Sequence, residues 1–372
     1  MHFSCRWLSF LMVLISELAC NDDPKMDSGD LTHITYSPES YALTIPQGLP
    51  KLPDSIINKL TKEGVQLGRH LFYDPVLSSD STMSCSSCHN PHKGFTDNLA
   101  VSPGVTGMTG NRSSMTALNA IYSNRYPGFY NVGLFWDGRA DNLEKQAIEP
   151  VQNPIELHEV WPNVVIKLKR HSMYPEMFRK AFGISNKEDI TKELAVKAIA
   201  QFESILLTGG QSVYQKQKRG EIFFEADQQE GSDLYFNQDL SIPDAQCFHC
   251  HADPLLMAND FFNNGIDSVK SLDDFADKGR GGVTKVRFDN GKFKAPSLYN
   301  IILTAPYMHD GRFKTLEEVI DHYNSGGHVA DNKNAFILPL GLNNREKKSL
   351  LAFLKTLTDT SFLENPDVLS PF

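Results

Sequence analysis

Two five-residue words of the sequence combine cysteine and histidine at a spacing that could hold an iron cofactor. Each word reads Cys-x-x-Cys-His, and the second copy stands far downstream of the first. Their residues are Cys85, Cys88 and His89 in the first word and Cys247, Cys250 and His251 in the second. In this pattern the two thiols bond the vinyl groups of a c-type haem, and the adjacent histidine binds the iron. The sequence therefore predicts two covalently bound haem c groups.

Other interpretations of such words are a zinc site, a redox dithiol and a chance match. A structural zinc site needs four ligands, and neither word is accompanied by a further cluster of cysteine or histidine. Of the six cysteines, only Cys5 and Cys20 lie outside the words, and both belong to the first twenty residues. The repetition of the word and the lack of a spare cysteine favour haem over each alternative.

The first twenty residues have the character of an export signal. Arg6 precedes the mainly apolar stretch WLSFLMVLISELAC, which is too short to span a membrane and suits the apolar core of a signal peptide. The stretch ends at Cys20, as in a bacterial lipoprotein signal, although Glu17 stands where such signals usually carry leucine. We predict a signal peptide at residues 1–20, a lipid anchor at Cys20, and a polar tether at residues 21–45.

The net charge of the chain limits the classes of macromolecule that it is expected to bind. The chain of 372 residues has 45 acidic and 36 basic side chains, which gives a formal net charge of −9. Nucleic-acid-binding proteins present basic patches, so this balance argues against a nucleic-acid partner. An acidic surface suits a basic protein partner, although net charge alone is a weak indication.

Apolar periodicity predicts helices around the two words. The stretches EGVQLGRHLFYD and EGSDLYFNQD precede the words, and both place leucine and phenylalanine at helical spacing after Glu-Gly. Further helices are predicted at Thr191–Thr208 and at Asn344–Leu357. Residues 96–116 and 259–294 are rich in Gly, Asp and Asn, so we predict loops there. The expected fold class is mostly α, with two haem domains, each opened by an amphipathic helix.

Two longer stretches resemble a known family. FWDGRADNLEKQAIEPVQNPIEL lies between the words, and KAPSLYNIILTAPYMHDGRFKTLEEVIDHYNSGG follows the second. Both are similar to the bacterial di-haem cytochrome c peroxidases and their relative MauG. The similarity extends from about Pro46 to Asp359 and includes long, unusual words.

This resemblance implies two cytochrome-c-like domains packed around a shared interface, with long loops. It places the peroxidatic haem in residues 46–210 and the electron-transfer haem in residues 211–372. The implied reaction is reduction of hydrogen peroxide to water, with electrons from a small periplasmic redox protein such as a cytochrome c or a cupredoxin. The electrons would enter at the C-terminal haem and pass to the N-terminal haem. The alternative is a MauG-type enzyme that oxidises a protein substrate by means of high-valent haems.

The resemblance also implies three catalytic residues. Glu156 in the word NPIE matches the family's proton-shuttling glutamate, and Gln146 matches the glutamine that positions peroxide. Trp136 in FWDGR matches a tryptophan that lies between the haems. Taken singly, these residues could be an exposed carboxylate, a helix-surface amide and a core indole. A pure electron carrier has no use for a proton shuttle, so Gln146 and Glu156 argue against that third function.

One departure from the common peroxidase pattern concerns the loop after the first word. Many members carry a histidine there that caps the peroxidatic iron until the other haem is reduced. The matching stretch here, SPGVTGMTGNR, has no histidine, and Val105 stands at the equivalent position. His92 lies only three residues beyond His89, so we interpret it as a surface residue. The peroxidatic iron is therefore expected to be open in the oxidised enzyme.

A second departure concerns the C-terminal iron. The peroxidases place a methionine ligand in the helix after HDG, and Tyr323 occupies that position here, as tyrosine does in MauG. The rival ligand is Met308, and the third interpretation is that Tyr323 is a packed phenol. His309 and Arg312 are interpreted as residues that hold haem propionates or the interface.

The family also holds one calcium ion between its domains. Thr304 and Pro306 match its backbone ligands, and Ser113, with Asn111 nearby, stands at the position of its asparagine ligand. The resemblance thus implies one Ca²⁺ and, with the export signal, a periplasmic location. A homodimer is the assembly that we consider for the protein.

Overall fold

The computed structural model of the chain describes residues 29–53, 59–126 and 131–372. The predicted signal peptide, the lipid anchor at Cys20 and the first part of the tether fall outside these ranges. Within them, no helix combines the length and the apolar character that crossing a membrane requires.

Helices dominate the regular structure of the described ranges. They are α1 (Lys62–Tyr73), α2 (Cys85–Cys88), α3 (Leu143–Gln152), α4 (Trp161–Arg170), α5 (Tyr174–Phe182), α6 (Lys192–Glu203), α7 (Val213–Lys218), α8 (Ala226–Phe236), α9 (Arg280–Thr284), α10 (Leu316–Ser325) and α11 (Asn344–Thr356). Two short strands, β1 (Phe261–Phe262) and β2 (Phe293–Lys294), pair antiparallel, with Phe261 opposite Lys294. Short 3₁₀ turns and irregular segments connect these elements. The prediction of a mostly α protein is confirmed.

The first word lies beside a close crossing of α1 and α6. Leu67, Leu71 and Phe72 of α1 are fully buried. Gly68 lies on the same helix, where an added Cβ would come within 1.9 Å of the carbonyl oxygen of Ala198 in α6. Only glycine permits so close an approach of the two backbones. This contact fixes how the two helices cross beneath the first word.

The second word has an equivalent crossing, made by α8 and α11. A Cβ on Gly231 would come within 1.9 Å of the carbonyl oxygen of Ser349 in α11. Gly231 therefore corresponds to Gly68, although the sequence comparison had aligned it with Gly64 through the shared Glu-Gly. Both glycines precede a fully buried leucine, Leu71 or Leu234, by three residues.

The bounds of two predicted helices can be compared with the structure. Asn344–Leu357 was predicted, and α11 covers Asn344–Thr356. Thr191–Thr208 was too long, because α6 ends at Glu203. Beyond that point Thr208 bonds to Asn119 instead of continuing the helix: its N–H donates to Asn119 Oδ1, and its carbonyl accepts from Asn119 Nδ2.

The two predicted loop regions differ in outcome. Residues 96–116 contain no helix or strand, as expected. The loop prediction for residues 259–294 was partly wrong, because β1, α9 and β2 lie there. Pairing of β1 with β2 joins the two ends of this region, a long-range contact that local composition does not report.

Ion pairs and hydrogen bonds join the N-terminal and C-terminal parts of the chain. The Arg112 guanidinium lies 2.7 Å from Asp277 and 2.6 Å from Asp137. Lys294 N–H donates to the carbonyl of Trp136 at 2.8 Å. The 49–52 and 121–143 regions contribute Leu49, Tyr122 and other side chains to the hydrophobic core around α8 and α11. The two parts of the chain thus share a packed interface.

Candidate functional site

Two cavities lie beside the two Cys-x-x-Cys-His words. The smaller, of about 70 Å³, is lined by residues of the first word together with Gln146, Glu156 and Glu203. We refer to it as the N-terminal cavity. The larger, of about 230 Å³, is lined by residues of the second word together with Trp136, Met308 and Tyr323. We refer to it as the C-terminal cavity.

The side chains of both words are arranged as haem attachment requires. All four cysteines are free thiols. Each pair is held in one short turn, in which the histidine N–H donates to the carbonyl of the first cysteine, Cys85 or Cys247, at 2.9 Å. The thiols and the imidazole of each word therefore face one space, and the residues fit a covalently bound c-type haem.

His89 is oriented by its Nδ1 atom. This atom donates to the carbonyl oxygen of Phe95 at 3.0 Å, which leaves Nε2 as the free ligand atom. Ser114 donates from Oγ to the carbonyl of Cys88 at 2.8 Å and lies 3.4 Å from His89 Nδ1. Burial lowers the pKa of His89, so its ring stays neutral and able to bind a metal.

His251 repeats this arrangement in the C-terminal cavity. Its Nδ1 atom lies 2.9 Å from the carbonyl oxygen of Pro296 and 3.2 Å from that of Leu256. Burial lowers the pKa of His251 as well. Both histidines therefore present Nε2 to their cavities.

Two of the three predicted catalytic residues meet in the N-terminal cavity. Gln146 lies on α3, whose first turn is capped by Asn142 through a bond from Lys145 N–H. Glu156 follows the end of α3, where Asn153 donates from Nδ2 to Glu156 Oε1 at 2.6 Å. Burial raises the pKa of Glu156, whereas this hydrogen bond opposes the rise. Sequence reasoning missed Asn153, although it stands in the same NPIE word.

The third predicted residue, Trp136, lines the C-terminal cavity. Its indole Nε1 donates to the carbonyl oxygen of Ser113 at 2.9 Å. The next residue, Ser114, bonds to Cys88 and lies beside His89. Trp136 is thus connected to the first word through a single peptide segment.

The loop after the first word closes one side of the N-terminal cavity. Pro103 and Gly104 line it, and Val105 N–H donates to the carbonyl oxygen of Glu156 at 2.8 Å. Apart from His89, no histidine of the described ranges lines this cavity. His92 is exposed.

Both candidate ligands for the C-terminal iron lie in the C-terminal cavity. Asn264 Nδ2 lies 3.3 Å from Met308 Sδ and 3.3 Å from Tyr323 Oη, so one amide contacts both. Burial raises the pKa of Tyr323 to about 12, which keeps the phenol protonated without a metal. Asn264 had no signal in the sequence, since it stands in a segment that was predicted as a loop.

His309 and Arg312 hold parts of the structure together. His309 is buried, its ring stacks on Phe293 with centroids 3.6 Å apart, and its carbonyl accepts from Ser113 N–H. Arg312 pairs with Asp267 at 2.7 Å and with Asp310 at 2.5 Å. The guanidinium of Arg312 is therefore paired with carboxylates of its own part of the chain.

The predicted calcium residues come together at the C-terminal cavity, which Ser113, Thr304 and Pro306 all line. Ser113 Oγ donates to the carbonyl oxygen of Met308 at 3.0 Å, so both of its lone pairs remain for a further partner. In the parts of the chain that the structure describes, no cluster of three or more His, Cys, Asp or Glu side chains suits a metal ion.

Glu203, a further residue of the N-terminal cavity, was not predicted. It ends α6 and is 8% exposed. In the sequence, Glu203 is one acidic residue at the end of a mainly apolar helix, and this pattern does not indicate a functional residue.

Comparison with known proteins adds the family. A family model described as "Di-haem cytochrome c peroxidase" matches residues 62–222. The methylamine utilization protein MauG of Methylorubrum extorquens is 33% identical over 82% of this chain and 81% of its own length. Cytochrome c551 peroxidase of Nitrosomonas europaea is 33% identical over 87% of this chain and 86% of its own length.

Solved structures agree with this placement. A MauG-like protein associated with microbial copper homeostasis has a TM-score of 0.79 and 32% identity, over 89% of this chain and 99% of its own. The di-haem peroxidase BthA of Burkholderia thailandensis, at 23% identity and a TM-score of 0.69, covers 87% of this chain and 94% of its own and shares the fold. Two c-type haems are implied by the family and match the two words. The chain therefore belongs to the family of di-haem cytochrome c peroxidases and MauG proteins, and it is an enzyme of the oxidoreductase class.

Proposed function

We propose that the enzyme reduces hydrogen peroxide to water with electrons from a small redox protein, a cytochrome c or a cupredoxin. Cys85, Cys88 and His89, and likewise Cys247, Cys250 and His251, would each hold one haem c group, and the two groups would supply the one-electron chemistry. The observation that carries the proposal is the presence of Glu156 and Gln146 in the cavity of the first word.

Glu156 acts as the proton shuttle in this reaction. Peroxide cleavage requires a proton to move from one oxygen to the other, so that the distant oxygen leaves as water. The Glu156 carboxylate accepts the first proton and delivers it, while the hydrogen bond from Asn153 holds its orientation. Gln146, whose amide can both donate and accept, positions the peroxide. Complete reduction consumes two electrons and two protons and yields two water molecules.

Electrons enter at the C-terminal cavity and reach the N-terminal cavity through Trp136. Support comes from the bond of its indole to Ser113 and from the contacts of Ser114 with Cys88 and His89. This chain of contacts is short and lies at the interface between the two parts of the molecule.

Steady-state peroxide consumption with a reduced cytochrome c or a reduced cupredoxin tests the proposal. Turnover with at least one donor is expected, and Trp136→Phe should slow reduction of the peroxidatic site without weakening peroxide binding. An enzyme that carries two haems but consumes no peroxide with either donor would overturn the assignment.

The second candidate is a MauG-type oxidation of a protein substrate. Tyr323 favours it, because a tyrosine oxygen in the C-terminal cavity, as an anionic ligand, would stabilise the more oxidised states of an iron. The lack of a capping histidine at Val105 points the same way. The two candidates differ in what supplies the electrons: a protein that is itself oxidised as the substrate in a MauG-type enzyme, and a small electron-donor protein in a peroxidase.

The remaining features of the proposal follow the family. We infer two cytochrome-c-like domains at residues 46–210 and 211–372, in keeping with the two glycine-mediated helix crossings. The periplasm is the proposed location, and a homodimer is the proposed assembly. A calcium ion at Ser113, Thr304 and Pro306 is part of the proposal, and metal analysis after dialysis against a chelator tests it.

A further inference from the structure

Glu203 carries a buried carboxyl group that the proposed reaction does not yet use. The side chain lines the N-terminal cavity, together with Glu156. Its Oε2 atom is buried and has no hydrogen-bond partner among the described residues. A buried polar group without a partner destabilises the folded state, so such a group calls for an explanation.

Neighbouring polar side chains of α6 show that Glu203 is exceptional. Gln201 accepts a hydrogen bond from Thr61 N–H at 3.0 Å. Ser204 donates to the carbonyl oxygen of Ala200 at 2.6 Å. The fold therefore satisfies the residues on either side, while the Glu203 carboxyl is left facing the cavity.

The carboxyl group of Glu203 is held in its protonated form. Burial, and secondarily the negative charge of Glu144 on α3, raise its pKa to about 8. The other titratable groups that line the cavity with it are Cys85 and Cys88 of α2, His89 and Glu156. Burial is the main cause that raises the pKa of the Cys85 thiol, and the charges of Glu203 and, more weakly, Glu156 add to it, so both carboxyls approach the first word. A protonated carboxyl has an O–H donor as well as acceptor capacity.

The reaction needs a source of protons in this cavity. Glu156 moves a proton from one peroxide oxygen to the other. It ends the step with the proton count with which it began, so it is not a source of protons. The two protons consumed with the two electrons from the donor protein must therefore reach the cavity from solvent, and a second titratable group at its wall can relay them.

We propose that Glu203 is a second proton-carrying residue of the N-terminal cavity, which delivers the protons that peroxide reduction consumes. The O–H bond of Glu203 breaks as its proton passes through the cavity to the departing oxygen, where a new O–H bond forms. The resulting carboxylate then takes up a proton from solvent, and two such cycles complete one turnover. This inference rests on the proposed peroxidase function.

Glu203→Gln tests the role, since it keeps the size and the hydrogen-bonding capacity but cannot carry a proton. We expect both haems to attach, peroxide to bind as in wild type, and turnover to fall by roughly 10²-fold, the lower end for a general acid–base group. Wild-type turnover should also fall as pH rises through about 8, whereas the turnover of the variant should not show this decline. Glu193→Gln, an exposed carboxyl in the first turn of α6, is the matched control and should change neither property.

Two further measurements distinguish proton delivery from a merely structural role. The infrared spectrum of the resting holoenzyme near neutral pH should contain a protonated-carboxyl band that disappears in Glu203→Gln. Glu144→Gln should shift the alkaline limb of turnover to lower pH, because it removes the negative charge that favours the protonated form of Glu203.

The outcomes separate this inference from the proposed function. A wild-type enzyme without peroxide turnover would refute the peroxidase assignment on which the inference rests. If the wild type turns over peroxide, and Glu203→Gln has the same rate and the same decline of rate at alkaline pH, proton delivery by Glu203 is refuted while the peroxidase assignment stands. If Glu203→Gln attached fewer than two haems, the Glu144→Gln variant would decide. An alkaline decline in its turnover at the same pH as in wild type would overturn the inference.

Discussion

Asn153 and Glu156 are joined by a hydrogen bond of 2.6 Å between the amide Nδ2 and the carboxyl Oε1. Asn153 also caps the end of α3, and its Oδ1 atom accepts from Ile155 N–H at 3.2 Å. One asparagine therefore ends the helix, shapes the following turn and holds the carboxyl toward the N-terminal cavity. The proposed proton shuttle, Glu156, is placed by local backbone geometry and not by distant packing.

Replacing Glu156 should abolish peroxide cleavage and spare the fold. Glu156→Gln removes the group that accepts and returns the proton, so we expect turnover to fall by ~10²–10⁴-fold. Stopped-flow measurement of peroxide consumption checks this, with two haems per chain confirmed by the pyridine haemochrome assay. Glu188→Gln, at an exposed carboxyl far along the chain, is the control. A Glu156→Gln enzyme within a few-fold of wild type would exclude Glu156 as the shuttle.

The resting enzyme should react with peroxide before any donor reduces it. The loop at residues 103–105 brings Pro103, Gly104 and Val105 to the N-terminal cavity or its edge, where the capping histidine of other members would stand. We expect a rapid spectral change when one equivalent of peroxide is mixed with oxidised enzyme. Spectra of a peroxidatic haem with two histidine ligands, inert until reduced, would contradict this expectation.

Spectroscopy of paired variants should identify the ligand of the C-terminal iron. If Tyr323 is the ligand, Tyr323→Phe should change the spectrum and raise the reduction potential of that haem, because an anionic oxygen favours the ferric state. Met308→Leu should then leave both properties close to wild type. The opposite pattern, in which only Met308→Leu alters the spectrum, would assign the sulfur of Met308 instead.

Glu203 should make stability depend on pH. Its pKa is raised from 4.5 in the unfolded chain to about 8 in the folded protein, so the folded state binds the extra proton between those values. The contribution of Glu203 to the free energy of unfolding should therefore fall as pH rises from about 4.5 to about 8, by at most about 1.4 kcal/mol per pH unit. Denaturant unfolding of Glu203→Gln should show a weaker decline over the same range. Parallel pH profiles for the two proteins would show that Glu203 does not retain its proton.

The crossing of α1 and α6 should not tolerate a methyl group. Gly68→Ala places a Cβ 1.9 Å from the carbonyl oxygen of Ala198, so the helices must separate, at a cost of about 1–3 kcal/mol or more. Gly282→Ala is the matched control, since its nearest neighbour is the Lys278 Cβ atom at 3.7 Å. Thermal unfolding of the two variants compares them, and equal midpoints would mean that the contact is not tight.

Local spacing explains what could be predicted from the sequence. The two Cys-x-x-Cys-His words, α11 and the irregular loop at residues 96–116 depend on neighbours within a few residues. Gln146 and Glu156, which the structure places in one cavity, stand ten residues apart on a helix and the turn that ends it. Their joint position therefore follows from one short stretch of chain.

Tertiary contacts explain what could not be predicted. The early end of α6 depends on Asn119, which lies far away in sequence and holds Thr208. The unpartnered carboxyl of Glu203 becomes visible only when α3 and the first word close around it. Asn264 contacts Met308 and Tyr323 from a segment without periodicity. Each of these features is set by the fold as a whole.

The two glycine-mediated crossings also set an order of events during biosynthesis. Each Cys-x-x-Cys-His word follows the first helix of its crossing, whereas the second helix comes much later in the chain. Residues 85–89 are therefore synthesised well before Ala198 exists to meet Gly68, and residues 247–251 before Ser349 exists to meet Gly231. Closing contacts between such distant segments is slow compared with local structure. We therefore expect the thiols of each word to stay accessible until the later helix docks, so that haem attachment can precede closure of the fold.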